Sequence, residues 1–227
     1  RGLGDVYKRQ FLHVTSNETI NGIQLREFNK INHDSLIIDM SSDIGSYSFE
    51  WDNLAYIYAG AQKNMGIPGV SICIGDEQYL NTENNSKYLN LGQLVEKNSL
   101  LNTPPTFSIY ILKLVTDWMI QMGGVKYFEE KSIRQSSRLY EQLNSYKDFL
   151  LLPVCDYSKS RSNIIFKFEN NELEKKFLME AGEKGIIGLN GHRSEGGVRI
   201  SLYNSITDEM VDYLSEFIDQ FFVSNGK

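Results

Sequence analysis

A chain of 227 residues, 41% hydrophobic and 23% charged, has room for one large domain or two modest ones around a real core. Its net charge of -6 argues against a nucleic-acid partner, because phosphates favour a basic face. Cys73 and Cys155 are too few for a disulfide framework and favour a reducing compartment. With His13, His33 and His192 scattered, no metal site is expected. The most apolar stretch, 107–122, is interrupted by Lys113 and Asp117 and is too short and polar to span a bilayer. The first ten residues lack the apolar core of a secretory signal, so a cytoplasmic enzyme is expected.

At the head, DVYKRQ (Asp5 to Gln10) resembles the translation of a transposon-end sequencing adapter, so residues 1–10 read as a non-native head. The competing reading is an ordinary solvated basic terminus. Phe11 to Val14 reads as a strand and Ser16 to Thr19 as a loop. Three compact apolar runs follow: SLIIDM from Ser35 to Met40, Leu54 to Tyr58, and GVSICI from Gly69 to Ile74. Short runs of this kind suggest a parallel sheet covered by helices on both faces.

From Thr106 the pattern turns helical. Pro104 and Pro105 make a rigid lead-in, and Thr106 to Met122 is apolar on most faces, which predicts a buried helix ending at Gly123 and Gly124. A more polar helix is expected from Val125 to about Leu143. Asn163 to Phe168 reads as a strand. Asn171 is expected to cap a helix, with Glu174 as its capping partner, that buries Leu173, Phe177, Leu178 and Ala181 and ends at Gly185. Gly197 to Tyr203 alternates with period two and reads as a strand. Thr207 starts a last helix with a buried stripe of Met210, Leu214, Phe217, Ile218 and Phe221. This last part is expected to be a small α/β domain.

Four groups of residues carry chemistry. Lys63, in AGAQKN, sits past a buried strand among small neighbours. Desolvation there lowers an amine's pKa and makes it a nucleophile, although most lysines in such turns are simply solvated. Asp39 ends a strand 24 positions before Lys63. A carboxylate there can hold a pyridine nitrogen protonated, or can merely cap a turn. Asn102, Thr103 and Thr106 cluster at a helix start, which suits a phosphate as well as it suits an ordinary cap. His192 and Arg193, with Arg199 in the strand GVRISLY, offer forks for anions; a structural salt bridge is the competing use of Arg199.

Taken in order, FLHVTSNETINGIQ, LIIDMSS, YIYAGAQKNMGIPGVSICI, LNTPPTFSIY and GHRSEGGVRISLYN resemble the phosphoserine aminotransferase family of the class V pyridoxal-phosphate enzymes. The resemblance runs from about residue 11 to about 222, and AGAQKN, NTPPTF and GHR…GG-R-S-YN are specific in combination. It implies an aspartate aminotransferase-like α/β fold, pyridoxal 5'-phosphate as cofactor, and no metal. Lys63 would carry the cofactor and shuttle the substrate proton. Asp39 would pair with the ring nitrogen, Thr19 with the phenolic oxygen side or the phosphate, and Gln62 with the phosphate. Asn102 and Thr103 would reach the cofactor phosphate of a neighbouring subunit in a homodimer. Arg199 would bind the substrate α-carboxylate, and His192 and Arg193 the distal anion. The implied reaction moves an amino group from glutamate to 3-phosphohydroxypyruvate in serine biosynthesis, or to a related phosphorylated oxo acid in pyridoxine biosynthesis.

Members of that family begin well upstream of FLHVT, so the chain is expected to be N-terminally truncated. Residues 11–125 would be the C-terminal portion of the cofactor-binding large domain and 126–227 the small domain. Two rival readings stay open: an aminotransferase of the same fold acting on a non-phosphorylated oxo acid, and a non-catalytic fragment.

Overall fold

The structure, a computed structural model, describes residues 11–33, 35–80 and 90–225. The head 1–10 therefore lies outside the described residues. In chain order the elements are β1 (Leu12–Thr15), β2 (Asn17–Glu18), β3 (Ile23–Gln24), β4 (Leu36–Asp39), β5 (Leu54–Gly60), β6 (Ser71–Gly75), α1 (Glu77–Leu80) and α2 (Leu91–Glu96). They continue with α3 (Thr106–Gln121), α4 (Gly124–Ser145), β7 (Leu150–Leu151), β8 (Asn163–Phe168), α5 (Asn171–Glu183), β9 (Val198–Ser201) and α6 (Asp208–Asn225). They fall into two compact units. One lies within 11–16, 26–44 and 49–118, the other within 17–25, 45–48 and 119–225.

The first unit is built on a four-stranded sheet in the order β1-β4-β5-β6. The first three strands run parallel, and Leu36, Ile38, Ala55, Ile57 and Ala59 bury one face. Each large aliphatic side chain fully buried there contributes about 1.5–3 kcal/mol. The opposite face carries His13, Asp39, Tyr56 and Tyr58, none of them buried, so the expected cover on both faces is not found among the described residues. β6 pairs with β5 antiparallel rather than parallel, and its Ile74 is exposed, because an apolar run carries no signal of its direction.

Helix α3 forms as expected but is not buried: Phe107 is 68% and Ile120 72% exposed, and Tyr110, Leu114 and Trp118 are exposed too. Apolar composition states that a face needs cover, not what covers it. The loop expected at Ser16 to Thr19 is instead partly strand, β2 pairing antiparallel with β3.

The second unit packs α4, α5 and α6 around the antiparallel sheet β7-β8-β9. Its core is rich in rings: Phe166, Phe168, Phe217 and Phe221 all lie within 6 Å of Phe177, centroid to centroid. Met210, expected in the buried stripe of α6, is exposed; Val211 and Phe222 hold that stripe instead. Asn170 rather than Asn171 caps α5, accepting from the Glu172 N–H at 2.9 Å. Glu174 accepts from the backbone of Phe168 and Gly197 instead of closing a capping box. Between α4 and α6 runs a polar ladder: Arg134 with Asp208, Arg138 with Asp212, and Gln142 and Tyr146 with Asp219. No described helix is long and apolar enough to cross a membrane.

Candidate active site

Asp39 closes β4 at the C-terminal end of the parallel strands, where α/β folds place their ligands. Its Oδ1 accepts from the Ser41 N–H at 2.9 Å, and Ser41 Oγ in turn accepts from the Gly60 N–H at 3.1 Å. The turn after β5, which carries Gln62 and Lys63, is thereby tied to the turn after β4. Asn64 adds a second tie, donating to the Ile44 carbonyl at 3.0 Å. Ala61 and Met65 close the Lys63 turn with backbone bonds, Ala61 to Val70 at 3.1 Å and Met65 to Ala61 at 3.0 Å. The same turn rests on α3 through Ser108, which donates to the Pro68 carbonyl at 3.1 Å.

Lys63 is half-buried and Gln62 exposed. A Cβ at Gly60 would meet only the amide end of the exposed Gln62 side chain, which can swing aside. Asn102 and Thr103 are exposed just before α3, whose first turn is braced by the Thr106 N–H donating to the Pro104 carbonyl at 2.8 Å. The first unit thus holds Asp39, Gln62, Lys63, Asn102 and Thr103.

Thr19, His192, Arg193 and Arg199 belong to the second unit. Val198 and Ile200 enter the core, which turns Arg199 and Ser201 to the other face of the sheet, Arg199 opposite Ile165 and Ser201 opposite Asn163. The β2–β3 hairpin that carries Thr19 lies on that face. Asn17 Nδ2 donates to Asn163 at 2.9 Å, the Ser160 N–H to the Gly22 carbonyl at 2.9 Å, and the Arg161 N–H to Gln24 at 3.0 Å. Gly22 approaches Asn163 and Ile165 so closely that a Cβ would stand 2.8 Å from both.

Arg199 Nε is buried with no hydrogen-bond partner among the described residues. A buried guanidinium donor left unbonded costs about 1–3 kcal/mol or more. His192 and Arg193 are exposed in a tight loop. The His192 carbonyl accepts from the Glu195 and Gly196 N–H groups at 3.0 and 2.9 Å, and its Nδ1 lies 2.9 Å from Ser194 Oγ. The loop closes through the Gly191 N–H donating to the Gly197 carbonyl at 2.9 Å. No three metal-ligating side chains converge among the described residues.

The Aminotransferase class-V family model matches residues 7–214. The chain belongs to the class-V aminotransferases. Members of that class use pyridoxal phosphate. Among its relatives, this class-V aminotransferase is 41% identical to a phosphoserine aminotransferase of Alkalihalobacillus alcalophilus, over 93% of this chain and 59% of the relative. The fold superposes with a TM-score of 0.91 on a phosphoserine aminotransferase from Bacillus circulans subsp. alkalophilus, 37% identical, covering 95% of this chain and 60% of that one. A PLP-bound phosphoserine aminotransferase from Trichomonas vaginalis is 29% identical, with a TM-score of 0.85 over 92% of this chain and 60% of its own. The chain therefore spans about 60% of the length of the relatives it matches.

Sequence reasoning missed Ser41, Tyr58 and His13. Alternation within each strand puts His13, Asp39 and Tyr58 on outward-facing positions, but that signal becomes useful only once the strand order is known.

Proposed function

We propose that the protein to which this chain belongs is a phosphoserine aminotransferase that exchanges an amino group between glutamate and 3-phosphohydroxypyruvate. The observation that carries the reading is the linkage Asp39–Ser41–Gly60, which holds a carboxylate and the Lys63 turn together at the ends of two adjacent parallel strands. A carboxylate at a strand end and a half-buried amine in the adjoining turn have the chemistry to receive a pyridine aldehyde. Pyridoxal 5'-phosphate supplies an electron sink for the carbon that gives up its proton.

Around it, this chain's residues take separate tasks. Lys63 carries the cofactor and moves the substrate proton as general base and then general acid. Asp39 accepts the hydrogen of the ring nitrogen. Thr19 bonds the phenolic oxygen side or the phosphate, and Gln62 the phosphate. Arg199 receives the α-carboxylate on its unbonded Nε. His192 and Arg193 bind the distal anion, a phosphate in one substrate and a carboxylate in the other, so one loop serves both. Glutamate leaves as 2-oxoglutarate, and 3-phosphohydroxypyruvate leaves as phosphoserine. The related phosphorylated oxo acid of pyridoxine biosynthesis fits the same anion loop.

The active unit is proposed to be a cytoplasmic homodimer, with Asn102 and Thr103 reaching the phosphate held by the partner. The exposed apolar side of α3, which follows those two residues, supports an interface there. Residues 11–125 would then be the C-terminal portion of the large domain and 126–227 the small domain.

Borohydride reduction in the presence of pyridoxal 5'-phosphate, followed by peptide mapping, tests the centre of the reading. A single label on Lys63, lost in Lys63→Ala, is expected. Labels spread over surface lysines, or full labelling of the Lys63→Ala variant, would refute it. On the full-length protein, 3-phosphohydroxypyruvate no better than pyruvate or glyoxylate would refute the substrate.

A further inference from the structure

The face of the second unit's sheet that presents Arg199 holds a buried polar network, whereas Ile164, Phe166, Val198 and Ile200 fill an apolar core on the other. Asn17 of the β2–β3 hairpin, Ser160 on the way into β8 and Asn163 at the start of β8 are each no more than 1% exposed. The direction of their bonds follows from groups that cannot be reversed. A hydroxyl has one hydrogen to give and two lone pairs. Ser160 Oγ accepts from the backbone N–H groups of Ser162 at 3.1 Å and Asn163 at 2.9 Å. Its one hydrogen therefore goes to Asn17 Oδ1. That turns the Asn17 amide so that Nδ2 gives to Asn163 Oδ1 at 2.9 Å, and Asn163 Nδ2 gives in turn to Ser201 Oγ at 3.2 Å. Two backbone donors thus set the orientation of both side-chain amides.

The hairpin is held along its whole length. Its tip is shaped by the Glu18 carboxylate, which accepts from the Ile20 and Asn21 N–H groups at 2.8 Å each. Thr19 lies between the Asn17 anchor and this turn. On the returning limb, the Ser160 N–H gives to the Gly22 carbonyl at 2.9 Å and the Arg161 N–H to Gln24 at 3.0 Å. Gly22 stands against Ile165, the residue opposite Arg199 in register. Asn163 sits opposite Ser201, two positions from Arg199 on the same face.

Apolar contacts have no preferred direction and would let so short a hairpin slide along the sheet. A buried network of directed bonds permits one placement. We propose that Asn17, Ser160 and Asn163 are positioning residues that lock the Thr19 hairpin onto the Arg199 face. The group that meets the cofactor and the group that meets the substrate α-carboxylate then belong to one rigid piece. The roles of Thr19 and Arg199 rest on the aminotransferase reading; the lock itself does not.

Amide hydrogen exchange on the 227-residue chain without cofactor tests the lock. Asn17→Leu copies the branched shape of the amide without its polar atoms. The Ser160 amide, which bonds the hairpin, is expected to exchange about tenfold faster or more, while the Arg199 amide, which gives to the Leu189 carbonyl at 2.7 Å, keeps its wild-type rate. Ser160→Ala is a milder change expected to act in the same direction, and it serves if Asn17→Leu does not fold. An unchanged Ser160 rate, or equal acceleration of both amides, overturns the lock. On the full-length protein loaded with pyridoxal 5'-phosphate, the same variant is expected to lower kcat about tenfold or more, by the same factor with glutamate and with phosphoserine as amino donors, since both carry the α-carboxylate. A wild-type kcat, or a loss with one donor only, overturns the positioning role. Failure of the wild-type protein to load cofactor counts against the aminotransferase reading instead, and the exchange rates then decide the lock alone.

Discussion

The Tyr146 phenol donates to Asp219 Oδ1 at 2.7 Å, and the same oxygen accepts from Gln142 Nε2 at 2.7 Å. Burial first, and then the Asp219 hydrogen bond and charge, push the phenol's pKa up from 10.0 to about 12. Below pH 10 both folded and unfolded chains keep this hydrogen, so its stabilising effect is complete. Between 10 and about 12 the unfolded chain gives it up first, and stability falls as pH rises. Denaturant midpoints measured across that window should fall more gently in Tyr146→Phe than in wild type. A slope unchanged by the substitution would refute the assignment. At neutral pH the same variant should cost about 1 kcal/mol for the lost bond.

Two cations on α4 should behave differently. Lys131 is buried, and its ammonium donates to the Asn204 carbonyl at 2.8 Å. Arg134 meets Asp208 at 2.7 Å with both side chains half exposed. Lys131→Met should cost about 1–3 kcal/mol, because a carbonyl loses its partner away from water. Arg134→Met should cost under about 1 kcal/mol, and less still in molar salt. Burial, the largest cause, lowers the Lys131 pKa below 10.5. Wild-type stability therefore gains as pH rises from that lowered value towards 10.5, because the unfolded chain binds the proton more tightly. Urea titrations of Lys131→Met should lack that gain.

Phe177 is fully buried among four other phenylalanines. Phe177→Ala would leave a hole that rigid rings fill poorly, at a cost of about 3–5 kcal/mol. Chemical denaturation showing a loss under about 1 kcal/mol would mean the cluster repacks freely.

At Gly191, any side chain would run into the Gly196 carbonyl across the loop. Gly191→Ala should force the loop open and misplace His192 and Arg193. On the full-length protein, the proposed anion-binding role of this loop predicts a rise in KM for 3-phosphohydroxypyruvate of about tenfold or more, with cofactor loading unchanged. Equal damage to loading and to KM would show that the loop does more than hold that anion.

Much of this was legible in the residues. The span Asn163–Phe168 matched the strand pattern, and Gly185, with its positive φ of 76°, lies just past α5 where a stop was expected. Asp39 and Lys63 stood out because a charged group at the end of a buried apolar run is chemically conspicuous. What escaped depended on pairing over distance. The direction of β6 is set by its partner, and an apolar run reads the same both ways. Asn170 and Asn171 are equal as capping residues by type, and only the backbone at the helix start separates them. His13 and Tyr58 are 45 positions apart, and nothing local to either one names the other. The exposure of α3 escaped for a different reason: hydrophobicity records a demand for cover without its source.

Arg199 has a consequence for selectivity. A guanidinium that already had an internal acceptor would have to give it up to a ligand, and every entering molecule would face the same exchange. With Nε unbonded among the described residues, the cost is already present before anything binds. A molecule that brings an acceptor to it removes that cost, whereas one of equal size without an acceptor seals it in. Under the proposed role of Arg199, discrimination at this position would work by refusal: strongest against near-perfect mimics that lack one oxygen, and weakest against small solutes that leave room for water.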